Sequence, residues 1–186
     1  FLGEKIEIRN RTLTEQLKEK KEKFLNSASA EIIKIYEDGI DRVANSGVLE
    51  SALREGDEIP EFALPNIDGD TLNSEDLLKD GPAVLLWYRG GWCPYCNIQL
   101  RIYNEYLQDF NKLDVNLVAI SPEKPEYAEK TTDRHNLGFT ILSDDGNKVA
   151  KKFGIAYKLP DEVIEKYNKN FDLTAYNDDN SYTLPL

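Results

Sequence analysis

Residues 83–96 read Ala-Val-Leu-Leu-Trp-Tyr-Arg-Gly-Gly-Trp-Cys-Pro-Tyr-Cys, and this stretch decides the fold. Its first six residues form a continuous apolar run, which is typical of a strand buried on both faces in the middle of a sheet. The Gly90-Gly91 pair then predicts a loop. A long helix is predicted to follow over residues 94–113, because apolar side chains recur there every three or four residues.

The flanking sequence continues the alternation of strands and helices. A second buried strand is predicted over residues 114–121 and a helix over residues 125–137. A short strand over residues 139–142 and a helix over residues 147–153 complete the pattern. Strands that alternate with helices form an open sheet with right-handed crossovers. The predicted fold class is therefore α/β, with a central sheet flanked by helices.

Residues 1–54 are predicted to form a polar helical extension. Thr12 and Glu15 fit a capping box at the start of a first helix. A second helix is predicted to start near Ser29, and Gly47 is placed to stop it. We find no chemistry in this region, so its expected role is packing, capping or dimerisation.

Two further segments carry weaker local signals. Asp68-Gly69 indicates a turn between two extended pieces, and Ser74 is predicted to cap a short helix. Residues 156–186 are rich in Tyr and Asn and show weak periodicity. They are predicted to be mostly loop.

The composition excludes several classes of partner. The formal net charge is −11, so the chain lacks the basic surface that would attract nucleic acid or an anionic membrane. Its apolar runs are too short for a spanning helix, which needs about 20 residues. The first 25 residues are rich in Lys and Glu and carry no apolar signal segment. We therefore expect a cytoplasmic protein.

The chemistry is expected at the only two cysteines, Cys93 and Cys96. Cys93 falls at or just before the helix N-terminus, and Pro94 takes a favoured first-turn position. Unpaired N–H groups and the helix dipole stabilise a thiolate there, and such sites lower a thiol pKa from about 8.5 to about 3.5–7.5. Arg89 adds positive charge. Cys93 is thus a candidate nucleophile, and Cys96, on the inward face of the first turn, could close a disulfide with it.

The pair has two other interpretations, a metal site and a pair of inert core residues. A structural zinc site wants four ligands, usually from two cysteine pairs, whereas this chain has one pair and a single histidine, His135. Two inert core cysteines would suit Cys96 but not Cys93, which lies beside Trp92 and Pro94 after a glycine loop. We expect neither a metal nor a cofactor.

The motifs resemble those of known redox families. Residues 84–96 resemble the strand-to-helix junction of thioredoxins and glutaredoxins, where Trp-Cys-x-x-Cys and Cys-Pro-Tyr-Cys occur. Further motifs look like those of the peroxiredoxins of the alkyl hydroperoxide reductase and thiol-specific antioxidant family. They are Gly56-Asp-x-x-Pro60-x-Phe62-x-Leu64, Asp68-Gly69, Ile120-Ser-Pro122 and the stretch from Leu137 to Gly154.

This resemblance, which covers roughly residues 54–156, implies a thioredoxin-like fold and a thiol-dependent peroxidase. Such an enzyme reduces a hydroperoxide through a sulfenic acid and a disulfide, and a thioredoxin-like or glutaredoxin-like reductant restores the dithiol. The catalytic residues would be Cys93 and Cys96. The supporting residues would be Arg89, Trp92, Pro94 and Tyr95, with Trp92 shielding the cysteines or contacting a partner.

The two family registers assign opposite roles to the pair. Peroxiredoxins carry Pro-x-x-x-Thr/Ser-x-x-Cys, which places the attacking cysteine at Cys96, the threonine at Cys93 and the proline at Arg89. The thioredoxin register makes Cys93 the attacking residue. Two alternatives therefore stay open beside the peroxidase: a protein disulfide reductase of the same fold, and a non-catalytic interaction module that binds through its N-terminal helices.

The resemblance also sets an expectation for the domains. A thioredoxin fold continues with a cis-proline loop, a β-hairpin and a final helix, and no such elements are recognisable after residue 153. We therefore expect an N-terminal helical extension over residues 1–54, and over residues 55–186 a peroxiredoxin-like domain whose C-terminal part lies outside this chain. A homodimer is a further expected partner.

Overall fold

A computed structural model describes residues 11–186 of the chain. The helices are α1 (Leu13–Ser27), α2 (Ala30–Ala44), α3 (Val48–Ser51), α4 (Ser74–Lys79), α5 (Pro94–Glu105), α6 (Leu107–Lys112), α7 (Pro125–His135), α8 (Lys148–Lys152), α9 (Asp161–Asn168) and α10 (Leu173–Asn177). The strands are β1 (Ala63–Pro65), β2 (Thr71–Asn73), β3 (Ala83–Trp87), β4 (Asn116–Ser121), β5 (Thr140–Ser143), β6 (Ala156–Lys158) and β7 (Thr183–Pro185). In this part of the chain, no helix is both long and apolar enough to span a bilayer.

The central sheet is parallel and has the strand order β3-β4-β5. Leu86 pairs with Ala119, and Ala119 with Ile141, so apolar residues run across the sheet. The prediction that β3 lies in the middle of the sheet was wrong, because β4 occupies that place among the described strands. The apolar run predicts only that both faces of β3 are buried, and the structure shows packing on both faces. It does not predict how many strands pair with β3.

One layer on the sheet is formed by α5 and α7, whose buried residues include Leu100 and Ala128. The predicted long helix is divided at Tyr106, where one N–H is shared between the carbonyls of Ile102 and Tyr103. A shared bond of this kind tightens the turn and ends the regular ladder. The apolar stripe nevertheless continues from α5 into α6.

The other layer contains α8 and the β1–β2 hairpin, which turns at Asp68-Gly69 as predicted. A bridge between Asn66 and Leu142 ties the hairpin to the sheet. The short helix α4 begins at Ser74, but its cap is Asn73, whose side chain accepts from the Asp76 N–H. The prediction of Ser74 as the cap was therefore wrong by one residue.

The N-terminal helices form as the sequence predicts. Thr12 and Glu15 make the expected capping box, and Ser29 caps α2. The helix α2 ends at Ala44, slightly before the predicted stop at Gly47. The helix α1 lies against α5, and α2 lies against α9. The extension thus packs on the elements around the cysteines.

The prediction that residues 156–186 are mostly loop was wrong. They contain the helices α9 and α10 and the antiparallel pair β6–β7. These elements are short and form a separate core with α2, centred on Val163 and Leu173. Gly39 of α2 allows the close approach, since a Cβ there would lie 2.8 Å from Val163 Cγ2. Long-range packing of this kind leaves little trace in local periodicity.

Truncation of the central core should be costly. Leu100 on α5 is fully buried, so we expect Leu100→Ala to lower the free energy of unfolding by about 2–5 kcal/mol through lost burial and a residual cavity. Leu113→Ala is the control, because Leu113 is 72% exposed and should change the free energy by less than about 0.5 kcal/mol. Urea unfolding measures both, and equal effects would contradict the packing described.

Candidate active site

The candidate site lies where β3 leads into α5. The chain leaves β3 through a tight turn that the Cys93 N–H closes by donating to the Gly90 carbonyl over 3.0 Å. Gly91 sits against α7, and a Cβ there would lie 1.9 Å from Thr131 Oγ1. Only glycine fits this approach. The turn is therefore fixed by the helix packed against it.

Cys93 is the N-cap of α5, with Pro94 in the first turn. Its Sγ accepts from the Cys96 N–H over 3.4 Å, and Arg89 Nη2 lies 3.1 Å from the same sulfur. An N-cap sulfur receives the positive end of the helix dipole in addition to the guanidinium charge. The structure thus places Arg89 and Pro94 beside Cys93, in the positions that the sequence predicts.

Cys96 lies one turn into α5, with its Sγ 2.6 Å from Cys93 Sγ. Both cysteines are free thiols. The Cys96 thiol donates to the Cys93 sulfur, and together with the Arg89 charge and the Cys96 N–H it lowers the pKa of Cys93 to about 6 against the opposing effect of burial. The same contact and burial raise the pKa of Cys96 far above its usual range.

The two thiols of the pair therefore differ in acidity. At neutral pH Cys93 is a thiolate and Cys96 a thiol, which is the asymmetry that a dithiol–disulfide cycle requires. The charge on Cys93 also acts on Arg89. Burial is the largest single influence on Arg89 and disfavours the guanidinium charge, but the neighbouring Cys93, Cys96, Tyr157 and Tyr167 together outweigh burial and raise the pKa of Arg89.

Aromatic side chains cover Cys93. The Trp92 ring lies 5.4 Å from the ring of Tyr167 and 5.0 Å from that of Phe171, and Arg89 lies 5.8 Å from the Trp92 centroid. Trp92 thus joins the turn to the helices that follow β6. Trp92 packs against the buried cluster to which Cys93 belongs, and Cys93 is 1% exposed.

A cavity of about 480 Å³ opens beside the pair. Cys96, Arg89 and Tyr95 line it together with residues of α1, α2 and α9, and most of its lining is apolar. Cys96 is 8% exposed and faces this space, whereas Cys93 lies behind it. A small molecule entering the cavity would meet the dithiol from the side of Cys96.

Sequence reasoning missed three residues of the site. Tyr157 and Tyr167 lie near Arg89 and Cys93, and burial raises the pKa of each hydroxyl. Both belong to the segment that was predicted as loop, so no local signal pointed to them. Glu123 lies beneath the turn, where its Oε1 accepts from the Gly91 N–H over 2.8 Å. It directly follows the Ile120-Ser-Pro122 motif, which is the only sequence signal for it.

Residues 11–186 contain no cluster of three or more His, Cys, Asp or Glu side chains placed to hold an ion.

Comparison with known proteins shows which class of fold this arrangement belongs to. A parallel sheet whose strand leads through a Cys-x-x-Cys turn into a covering helix defines a thioredoxin-like fold. Solved structures of this kind include the peroxidoxin BcpB from Mycobacterium tuberculosis, at 28% identity, a TM-score of 0.54 and coverage of 56% of this chain and 68% of that one. A yeast mitochondrial 1-Cys peroxiredoxin matches at 25% identity, a TM-score of 0.51 and coverage of 55% and 51%.

The chain belongs to the AhpC/TSA family, whose model matches residues 55–178. Among the relatives, the peroxiredoxin Bcp of Escherichia coli (strain K12) is 33% identical over 104 residues, which are 55% of this chain and 65% of that protein. The chloroplastic peroxiredoxin Q of Triticum aestivum is 30% identical over 118 residues, which are 63% of this chain and 54% of that protein. The matched region thus spans less than two thirds of each relative. The family resemblance is confirmed.

After the Cys96 thiol, the guanidinium of Arg89 is the strongest influence that lowers the pKa of Cys93. We expect Arg89→Gln to raise the pKa of Cys93 from about 6 to roughly 7–9, since an opposite charge in contact lowers a pKa by about 1–3. The pH dependence of thiol alkylation by iodoacetamide measures this pKa. Arg101→Gln is the matched control, because Arg101 is exposed on α5, the helix that Cys93 caps. An unchanged pKa in the Arg89 variant would contradict the charge pairing.

Proposed function

We propose that this protein is a thiol-dependent peroxidase that reduces hydroperoxides through a Cys93/Cys96 dithiol–disulfide cycle. The observation that carries the proposal is the division of the pair: a thiolate at a helix N-terminus against Arg89, with a protonated thiol 2.6 Å away. Membership of the AhpC/TSA family and relatives named peroxiredoxins support it.

The cycle has three steps. The Cys93 thiolate attacks the terminal oxygen of the hydroperoxide, the O–O bond breaks, and the leaving alkoxide takes a proton to become the alcohol. Cys93 is then a sulfenic acid, and the Cys96 sulfur attacks it, so that the disulfide forms and water leaves once the Cys96 proton has been transferred. A thioredoxin-like or glutaredoxin-like dithiol supplies two electrons and two protons and restores both thiols.

Cys93 is the proposed attacking residue, although the peroxiredoxin register points to Cys96. The thiolate is the nucleophilic form, and the hydrogen bonds, charge and helix dipole all favour it on Cys93. The hydrogen bond to Cys93, burial and the neighbouring negative charge oppose ionisation of Cys96. Arg89 and Trp92 would stabilise and cover the thiolate, Pro94 would open the helix, and Tyr95 would line the entrance.

A protein disulfide reductase is the second candidate, because Trp92-Cys93-Pro94-Tyr95-Cys96 also resembles the thioredoxin and glutaredoxin motifs. The two functions differ in the size of the substrate that must reach the cysteines. A protein disulfide must bring a bulky chain to Cys93, which the aromatic cover blocks, whereas a hydroperoxide fits the cavity beside Cys96. Access therefore favours the peroxidase. A non-catalytic interaction module would leave the division of the thiols without a role.

The setting of the protein is also proposed. A dithiol that must be reduced in each cycle suits the cytoplasm, where thiols are kept reduced, although the wheat relative is named chloroplastic.

The exposed apolar residues Ile40 and Leu49 of the N-terminal helices offer a surface for a homodimer.

Peroxide kinetics test the proposal directly. At pH 7 a pKa of about 6 makes Cys93 roughly 90% thiolate, against roughly 3% for a free cysteine, so ionisation alone gives about a thirtyfold faster reaction. We expect the reduced protein to exceed that factor with hydrogen peroxide or an organic hydroperoxide. Stopped-flow Trp fluorescence measures the rate.

The cysteine variants distinguish the outcomes. Cys93→Ser should lose the fast reaction, and Cys96→Ser should keep it but stop at the sulfenic acid, which a dimedone probe traps. Loss in Cys96→Ser with retention in Cys93→Ser would instead assign the attack to Cys96. A rate like that of a free thiol in the wild type, together with rapid reduction of insulin disulfides, would make the disulfide reductase the better account.

A further inference from the structure

Glu123 is a buried acid that the proposed cycle does not use. It follows β4, is 1% exposed, and places its carboxyl group beneath the turn that carries Cys93. Its Oε1 accepts from the Gly91 N–H over 2.8 Å. Carboxylates are almost never fully buried without such partners, because burial of an unpaired carboxylate is energetically costly.

The bond to Gly91 bears directly on Cys93. Gly91 is the second residue of the turn that the Cys93 N–H closes on Gly90. The Gly91 carbonyl accepts from Asn97 Nδ2 over 2.9 Å and from Arg134 Nη1 over 3.3 Å. Both polar groups of Gly91 are thus held, and Glu123 is the partner of its N–H.

The second carboxyl oxygen of Glu123 is buried, but its hydrogen-bonding capacity is not satisfied by the described residues. Within residues 11–186, neither Glu123 Oε2 nor the buried Trp92 Nε1 has a hydrogen-bond partner. The two side chains converge on Gly90, where a Cβ would lie 2.8 Å from Glu123 Oε1 and 2.3 Å from Trp92 Nε1. The carboxyl group and the indole therefore occupy the same side of the active-site turn.

The surroundings of Glu123 favour its neutral form. Burial raises the pKa of Glu123 to about 7, the Gly91 N–H and Arg134 oppose this, and the charge on Cys93 adds to it. The hydroxyl of Tyr88, the residue after β3, lies near the carboxyl group but makes no well-formed hydrogen bond with it in the described part of the chain. On the far side, Lys124, Glu126, Asp144 and Lys148 line a second cavity with Glu123.

We propose that Glu123 is a positioning residue for Cys93: its bond to Gly91 holds the turn that places the Cys93 sulfur against Arg89, and its proton is coupled to the charge on that sulfur. The proposal rests on Cys93 being the reactive thiol of the proposed function. Two neighbouring anions repel, so a thiolate on Cys93 favours the protonated acid. When Cys93 becomes neutral in the disulfide, Glu123 ionises more readily and releases a proton.

Two substitutions separate the two roles. Glu123→Gln keeps an oxygen that accepts from Gly91 but does not titrate, whereas Glu123→Ala removes both the bond and the charge. Glu129→Gln is the matched control, because it removes one negative charge from an exposed position on α7. The readout is the rate of Cys93 alkylation by iodoacetamide between pH 4 and 9 (about the range in which carboxyl and thiol groups titrate), which requires no peroxide chemistry.

We expect two inflections in the wild type, at the pKa of Cys93, about 6, and at that of Glu123, about 7. Glu123→Gln should keep the inflection of Cys93 and lose that of Glu123, whereas Glu129→Gln should keep both inflections. Glu123→Ala should move the inflection of Cys93 to higher pH. A two-step profile in Glu123→Gln, or a wild-type first inflection in Glu123→Ala, would overturn the proposal. A purely structural role would lower the unfolding temperature without changing either inflection, which also overturns it.

A second measurement covers the case in which Glu123→Ala does not fold. NMR titration of the Glu123 carboxyl carbon, assigned with Glu123→Gln, should give a lower pKa in the disulfide form than in the dithiol form. Equal values in the two forms would overturn the coupling. Because neither experiment involves a hydroperoxide, a protein without peroxidase activity can still show both effects, and the failure of one proposal is distinguishable from the failure of the other.

Discussion

The contact between the Cys93 sulfur and Arg89 is the interaction on which the site depends. A buried thiolate is costly unless hydrogen bonds and an opposite charge replace the water it has lost. Arg89, the Cys96 N–H and the Cys96 thiol supply these around one sulfur. The contact forms only if β3 ends, the chain turns and α5 begins within a few residues. The turn therefore needs support from the elements around it.

The parallel sheet explains where this support comes from. Adjacent parallel strands end at the same edge, so Arg89, which follows β3, and Glu123, which follows β4, meet at the active-site turn. The helix α7, which connects β4 to β5, supplies Thr131 and Arg134 against Gly91. Arg89 lies against the Cys93 sulfur itself, whereas the Glu123 carboxyl group accepts its hydrogen bond from the backbone of the turn, at the Gly91 N–H. This arrangement keeps the charge of Arg89 available to Cys93.

The sequence was sufficient to predict what local spacing encodes. The start of α5 at Pro94, the inward placement of Cys96 and the capping box at Thr12 each depend on residues within one or two turns. The aromatic cover could not be predicted, because Tyr167 and Phe171 reach Trp92 only after α9 and α10 pack against α2. The role of Glu123 was hidden for a similar reason: its partner, Gly91, is 32 residues away.

The thiolate lies on the less exposed of the two sulfurs, and this has a consequence for selectivity. A reactant that approached through the aromatic cover would have to displace Trp92, whereas one that enters the cavity passes Cys96 first. Because Cys96 is protonated, it is a poor nucleophile on that path and lets a small oxidant pass. In the proposed cycle, oxidation of Cys93 removes both the hydrogen bond that its thiolate accepts from Cys96 and its negative charge, so that of the three causes that keep Cys96 protonated only burial remains. In that cycle, the first step therefore makes the resolving step easier.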